Sequence, residues 1–148
     1  MCGIIGIISS KEVSNRIVNS LKKLEYRGYD SAGIATLVDG NINEVKCEGR
    51  VDVLEKDISK LNLKGEIGIG HVRWATHGKP SKVNAHPHSS EQVSVVHNGI
   101  IENSTILKKL LEKKGYIFKS QTDTEVIAHL VTDCLLYTSD AADDRSWV

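Results

Sequence analysis

Residues 1–8 have the sequence MCGIIGII, in which a cysteine follows the initiator methionine and an isoleucine-rich run follows the cysteine. An apolar run of this kind, bounded by polar residues, predicts a buried strand over residues 2–9. A free cysteine in such a strand is most often a small, inert hydrophobic residue. Cys2 also has a second interpretation, because its small size allows removal of Met1, which would leave the cysteine at the chain end.

A cysteine at the chain end carries two reactive groups on one residue. α-Amino groups have pKa values of about 7.7–8.0, which suits a general base near neutral pH. An amine that activates a nucleophile at the chain terminus is one of the arrangements used in covalent catalysis. The sequence therefore predicts a nucleophilic site at Cys2, on the condition that Met1 is removed.

The composition of the whole chain indicates one globular domain. It has 148 residues, of which 40% are hydrophobic and 26% charged. Nineteen basic and nineteen acidic residues give a net charge of zero, which disfavours nucleic acid or an anionic membrane as a partner. No apolar run is long enough for a membrane helix, and the N-terminus lacks a basic secretory segment. Three widely spaced cysteines without a CxxC pair disfavour a disulfide framework and suit the cytoplasm.

Helices and strands are mixed without regular alternation, which predicts an α+β fold. Helices are predicted at 11–26, 51–61 and 103–114 and from Thr122 through IAHLV (127–131). Strands are predicted at 32–38, 42–48, 65–75 and 92–99, with a short one at 116–120. Gly28 is expected to end the first helix in the left-handed conformation, and Asp39-Gly40 to form a hairpin turn.

Arg73 stands at the end of a predicted strand, where a guanidinium can clamp a carboxylate through two hydrogen bonds. The loop that follows is rich in polar side chains. His77, His86 and His88 in this loop could instead be metal ligands. Their spacing matches neither HExxH nor a zinc finger, and no carboxylate lies within 71–88, so a metal site is disfavoured.

Two further segments have both a structural and a functional interpretation. Asn98-Gly99 is a common turn signal, but an amide side chain beside a glycine N–H can also form an oxyanion hole. Thr122 and Glu125 predict a helix capping box, which places Asp123 in the first turn of the helix. Asp123 could equally bind a substrate ammonium, although taken alone the structural role is favoured.

Six motifs then occur together and in order: MCGIIGI, EYRGYDSAG (25–33), RWATHG (73–78), NAHPH (84–88), HNGIIEN (97–103) and TDTEVIAHL (122–130). With these motifs the chain resembles the N-terminal glutaminase domain of the glutamine–fructose-6-phosphate aminotransferases, also known as glucosamine-6-phosphate synthases. The resemblance covers residues 1–136. It implies an N-terminal-nucleophile hydrolase fold, a four-layer α/β/β/α sandwich that is incomplete at the C-terminus of this chain.

The resemblance also implies an activity, the hydrolysis of L-glutamine to glutamate and ammonia without a cofactor or metal. Cys2 would be the nucleophile and its amine the proton shuttle, with Asn98 and Gly99 as the oxyanion hole. The substrate-binding residues implied are Arg73, Thr76 and His77 for the α-carboxylate, Trp74 in the segment that closes over the substrate, and Asp123 for the α-ammonium. Because glutamine is a zwitterion, its pocket needs one cation and one anion, which Arg73 and Asp123 supply. His86, His88 and His97 are interpreted as loop-ordering residues.

The chain departs from the family pattern near Leu136. Residues 137–148 are expected to be an off-pattern tail, either disordered or a sequence junction, and the sugar-phosphate isomerase domains of the family are expected to be absent from this chain. Fructose 6-phosphate would therefore be used only through those absent domains, in a cytoplasmic full-length form that is a candidate homodimer. Two alternatives stay open: an inactive fragment that keeps the motifs, or the glutaminase domain of another class II amidotransferase, such as amidophosphoribosyltransferase.

Overall fold

The fold is built around a four-stranded antiparallel sheet. This computed structural model describes residues 2–76 and 78–143, with side chains as far as residue 136. The strands of the sheet are β1 (Gly3–Ile8), β2 (Ser31–Val38), β3 (Asn41–Glu48) and β4 (Ile67–Arg73), in the order β1-β4-β2-β3. Gly3 pairs with Val72, so that Cys2 lies beside the end of β4. This register brings the N-terminal cysteine next to Arg73, 71 positions further along the chain.

The strand predicted from the opening sequence is present but only half-buried. Ile5 and Ile7 pack against the main core, whereas Ile4 is 40% exposed and Ile8 is 82% exposed on the opposite face. The prediction of a fully buried strand was therefore wrong. Isoleucine occupies both faces, which hides the alternation that normally marks a strand with one covered side.

Two helices, α1 (Ser14–Leu24) and α2 (Val51–Leu61), cover one face of the sheet. Their apolar stripes follow the predicted helical spacing, and they bury their contacts in a common core. The core residues are Val13, Ile17, Val18, Leu21, Ala32, Ile34, Val45, Cys47, Val51, Leu54, Ile58 and Val72. The predicted hairpin is also confirmed, because Val38 pairs with Asn41 across a turn in which Asp39 and Gly40 have positive φ angles of 49° and 77°.

The other face is covered by the second half of the chain. A two-stranded ribbon, β5 (His88–Ser89) and β6 (Ser94–Val95), lies with two outer helices, α3 (Ser104–Lys113) and α4 (Glu125–Asp143). Thr132 on α4 donates a hydrogen bond to Ser90, which follows β5, at 2.8 Å. The layers thus run helices, sheet, small sheet, helices. Within the described ranges no helix has the length and apolarity needed to cross a membrane.

Two predictions for this half were wrong in part. The strand expected over 92–99 is reduced to the two residues of β6, and 116–120 is not a strand because its last two amides donate to Glu125 instead of to a neighbouring strand. Helix α4 continues to Asp143, into the segment expected to be an off-pattern tail, and no glycine or proline interrupts 137–143. Residues 144–148 lie outside the described part.

Gly28 has a different role from the one predicted. It follows a 3₁₀ turn (Glu25–Arg27), and its φ of −179° is extended instead of left-handed. A Cβ at this position would lie 2.5 Å from the carbonyl carbon of Arg73. Glycine is needed here because two backbone segments approach closely, which the sequence pattern does not reveal.

Gly28→Ala is expected to lower the free energy of unfolding by about 1–3 kcal/mol, because the backbone at Arg73 has to move to accept the methyl group. Gly6→Ala is the matched control, since a Cβ there would be 3.9 Å from its nearest neighbour, in Ile69. Urea unfolding of the two variants measures the difference. Equal midpoints would contradict the close-approach explanation.

Candidate active site

A cleft of about 410 Å³ opens where β1 begins and β4 ends. It brings together seven of the eight predicted site residues: Cys2, Arg73, Trp74, Thr76, Asn98, Gly99 and Asp123. The eighth, His77, lies outside the described residues, as does Met1. Other side chains at the cleft were not predicted as site residues, among them Arg27.

The Cys2 thiol lies against the backbone of Trp74, the first residue after β4. Its Sγ accepts a hydrogen bond from the Trp74 N–H at 3.2 Å and lies 3.6 Å from the Trp74 carbonyl oxygen. The pairing of β1 with β4 sets this position. The thiol is therefore held at the strand end and lines the cleft.

Two side chains hold the backbone of Cys2 from different parts of the chain. Arg27 Nε donates to the Cys2 carbonyl at 2.9 Å, and Asn98 Nδ2 donates to the same oxygen at 3.1 Å. Arg27 was missed by sequence reasoning, although it lies within the EYRGYDSAG motif. With these contacts the orientation of the N-terminal residue is fixed by its carbonyl as well as by its thiol.

Asn98 and Gly99 follow the small ribbon and lie beside Cys2. The Asn98 carboxamide directs its NH₂ group toward Cys2, while its Oδ1 lies 3.0 Å from Nε2 of His71. A Cβ on Gly99 would meet the His97 ring at 2.7 Å, so this site has no room for a side chain. The arrangement leaves an amide donor and an unobstructed backbone next to the thiol.

Arg73 supplies a buried cation at the same cleft. Its side chain is on the same sheet face as His71, and Nη2 donates to the Gly78 carbonyl at 3.2 Å. Burial lowers the pKa of the Arg73 guanidinium, and the nearby Asp30 and Asp123 carboxylates partly oppose that effect. The charge is thus largely removed from water but balanced by acidic neighbours.

Asp123 has a structural contact as well as a position at the cleft. Its Oδ2 accepts a hydrogen bond from the Ile101 N–H at 2.7 Å, which ties the loop after Asn98 to the start of α4. Asp30 does the same for the loop after β4, because its carboxylate accepts from the Ala75 N–H. Neither contact could be inferred from spacing, since each joins a side chain to a distant backbone amide.

Trp74 lies at the mouth of the cleft with its side chain half exposed. Its ring packs edge-to-face against Tyr29, with centroids 5.7 Å apart. Thr76, two residues further on, also lines the cleft. The segment after β4 thus forms one wall of the opening.

The predicted capping box does not form. Glu125 accepts hydrogen bonds from the Lys119 and Ser120 amides at 2.8 and 2.7 Å, while Thr122 Oγ1 lies 2.8 Å from His88 Nε2. Burial raises the pKa of Glu125, but these hydrogen bonds outweigh burial and leave the pKa below its usual value. The buried carboxylate thus accepts hydrogen bonds from backbone amides in the turn before the helix, and not from the Thr122 amide as a capping box requires.

Three buried histidines form a stack beneath the cleft. His71 and His86 are stacked with ring centroids 4.3 Å apart, and His86 meets His88 edge-on at 4.6 Å. Burial lowers the pKa of His71 to about 4 and that of His88 to about 3, and lowers that of His86 further still. All three are therefore neutral near pH 7. No cluster of metal-ligating side chains is found among the described side chains, those of residues 2–76 and 78–136.

This stack predicts that stability falls as the pH drops below about 6.5, the pKa of histidine in an unfolded chain. Below that pH the unfolded state binds protons that the folded state excludes, so each histidine lowers the free energy of unfolding by up to about 1.4 kcal/mol per pH unit. His88→Gln, which can keep a contact with Thr122, is expected to remove one third of this slope. Urea unfolding from pH 5.5 to 7.5 measures it, and an unchanged slope would contradict the neutral stack.

The amino-acid sequence of this chain is similar to those of known proteins. A family described as a glutamine amidotransferase domain matches residues 71–143. Glutamine–fructose-6-phosphate aminotransferases from Bradyrhizobium diazoefficiens and Clostridium acetobutylicum are 56% and 59% identical over 91% and 88% of this chain. The Francisella tularensis enzyme is 60% identical over 88%. The chain spans 22% of the length of each of these relatives.

Two solved structures have a similar fold. Glutamine phosphoribosylpyrophosphate amidotransferase from B. subtilis superposes with a TM-score of 0.74 at 31% identity. A structure described as the allosteric regulatory enzyme of purine biosynthesis gives 0.75 at 32% identity. Each match covers 89% of this chain and 29% of the other. These two structures, which are about one third identical to this chain in sequence, therefore confirm the α+β fold expected from the sequence.

Proposed function

Because this chain belongs to the glutamine amidotransferase domain family and corresponds to one part of the glutamine–fructose-6-phosphate aminotransferases, we propose that it hydrolyses L-glutamine with Cys2 as the nucleophile. The observation that carries the proposal is the cleft. It combines a thiol, an amide donor, a buried cation and a carboxylate, which are the groups that attack on a zwitterionic amide requires.

The proposed reaction has two halves. In the first, the Cys2 thiol attacks the side-chain amide carbon, the α-amine of Cys2 takes the thiol proton, and that proton passes to the departing ammonia. The oxyanion that forms receives hydrogen bonds from the Asn98 NH₂ group and the Gly99 N–H. In the second half, water attacks the thioester, which releases glutamate and restores the thiol.

The remaining site residues would bind the ends of the substrate. Arg73 would bind the α-carboxylate, with Thr76 and His77 beside it, because a guanidinium matches the geometry of a carboxylate. Asp123 would bind the α-ammonium. Trp74, half exposed at the mouth, would cover the bound substrate and exclude water.

How the ammonia is used is a separate proposal, supported by the similarity to glutamine–fructose-6-phosphate aminotransferases. In a longer assembly the ammonia would be transferred to fructose 6-phosphate to make glucosamine 6-phosphate, on isomerase domains that correspond to parts of the relatives outside the 22% spanned here. We place that assembly in the cytoplasm, as a homodimer. The glutaminase unit itself is assigned to residues 1–136, with 137–148 beyond it.

The test uses chain from which Met1 has been removed, as verified by intact mass. Incubation with L-glutamine should release glutamate and ammonia in equal amounts, and chain that retains Met1 should release neither. A folded, processed chain that neither binds nor hydrolyses glutamine would instead favour the inactive-fragment alternative. Calorimetric titration with glutamine, together with circular dichroism, separates that outcome from simple unfolding.

A further inference from the structure

His71 has a contact that the proposed mechanism does not use. It lies on β4, two residues before Arg73 and on the same face of the sheet, and its side chain is fully buried. Its Nε2 atom is 3.0 Å from Oδ1 of Asn98. The buried imidazole therefore contacts the side of the Asn98 carboxamide that faces away from Cys2.

A carboxamide has two unlike ends, so its orientation decides what it offers to a substrate. The Oδ1 end only accepts hydrogen bonds and the Nδ2 end only donates them. The Cys2 carbonyl can only accept, so the Asn98 NH₂ group faces Cys2 and Oδ1 faces His71; the neutral His71 ring matches this arrangement as the tautomer that carries its proton on Nε2 and donates it. With Oδ1 held in this way, Nδ2 of Asn98 points at the Cys2 carbonyl, 3.1 Å away.

The opposite orientation of the amide would be unfavourable at Cys2. Rotation by a half turn would put Oδ1 of Asn98 against the carbonyl oxygen of Cys2, and a buried polar group left unsatisfied costs about 1–3 kcal/mol. The His71 ring would also have to move its proton from Nε2 to Nδ1 before it could accept a hydrogen bond from the Asn98 NH₂ group. The Cys2 carbonyl thus sets the direction of the amide, and the His71 N–H holds the amide from the other side.

We propose that His71 is a positioning residue for glutamine hydrolysis, which holds the Asn98 carboxamide with its NH₂ group toward the nucleophile. The proposal rests on the proposed function of the cleft. His71 does not line the cleft itself, and its contact with the site runs through Asn98. The stacked ring of His86 supports the ring of His71 from one side, at a centroid distance of 4.3 Å.

Two variants separate the hydrogen bond from the volume of the side chain. His71→Leu fills similar space without a donor, whereas His71→Gln places an N–H near the position of Nε2. His71→Leu is expected to lower kcat about 10- to 100-fold with KM for glutamine nearly unchanged, because the lost donor acts mainly on the oxyanion. His71→Gln should recover most of kcat. Ile58→Val, a core change on α2 away from the cleft, controls for loss of stability.

A second measurement does not depend on turnover. The ¹⁵N–¹H resonances of the Asn98 side chain are expected to shift in His71→Leu and to return toward the wild-type position in His71→Gln. Identical Asn98 resonances in all three proteins would overturn the positioning role, even if the wild-type chain releases no glutamate. Equal kcat values in an active wild type and His71→Leu would also overturn it. Absence of activity in the wild type counts against the proposed function instead.

Discussion

Cys2→Ala is expected to reduce the release of glutamate from L-glutamine by a factor on the order of 10⁴ or more. Among the described residues that line the cleft, only Cys2 carries the thiol that the proposed thioester requires, and alanine at the chain end still allows Met1 to be removed. The fold should be retained, because the hydrogen bonds of the thiol to described residues are made with the Trp74 backbone, at the edge of the cleft. Glutamate release by purified variant and wild type, with matched intact masses, measures the effect.

Cys134→Ala is the matched control, since Cys134 is an exposed cysteine on α4 that does not line the cleft. Its activity should equal that of the wild type. Cys2→Ser adds a graded test: the hydroxyl keeps the position of the nucleophile but ionises far less readily than a thiol. Substantial glutamate release by Cys2→Ala would show that another group carries the reaction, and the nucleophile assignment would be wrong.

Arg73→Gln is expected to lower kcat/KM for L-glutamine by about 10²–10³-fold, mainly through a higher KM. Each charge-assisted hydrogen bond to the substrate carboxylate contributes about 1.5–3 kcal/mol. Removal of the cation also leaves Asp30 and Asp123 without the charge that balances them. Steady-state kinetics give the ratio, with Arg16→Gln, an exposed change that lies outside the cleft, as the control.

A substrate that lacks the α-carboxylate makes this test specific to the proposed contact. The wild type should strongly prefer L-glutamine over 4-aminobutanamide, which has no α-carboxylate. Arg73→Gln should lose most of that preference, because without the guanidinium it cannot form an ion pair with the carboxylate of L-glutamine either. A variant that keeps the full preference would show that the carboxylate binds elsewhere. A general defect in folding would instead lower both activities equally.

Local patterns in the sequence predicted the elements but not their contacts. The apolar spacing of Val13, Ile17 and Leu21 identified α1, and Asp39-Gly40 identified the hairpin turn, because both depend on residues a few positions apart. The pairing of Gly3 with Val72 depends on two distant segments. The gathering of Cys2 and Arg73 at one cleft was therefore expected through the resemblance and not through spacing.

The residues that were missed share a physical reason. Arg27 and His71 act on groups far along the chain, on the Cys2 carbonyl and on the Asn98 amide. Gly28 was assigned to a helix cap because its neighbours form a helix, whereas its constraint comes from the Arg73 backbone. Short sequence windows contain no information about which distant atom a side chain or a backbone segment will meet.

The pairing of β1 with β4 affects the order in which the chain is synthesised, processed and folded. Among the described strands β1 pairs only with β4, and the described hydrogen-bond partners of Cys2 are the nearby Arg27 and the distant Trp74 and Asn98. At a translation rate of roughly 5–20 residues per second, the distant partners are made several seconds after the N-terminus emerges. During that interval the first residues of the nascent chain have no strand to pair with and stay accessible to the enzyme that removes methionine. Processing at the chain end can thus precede the folding step that closes the cleft around it.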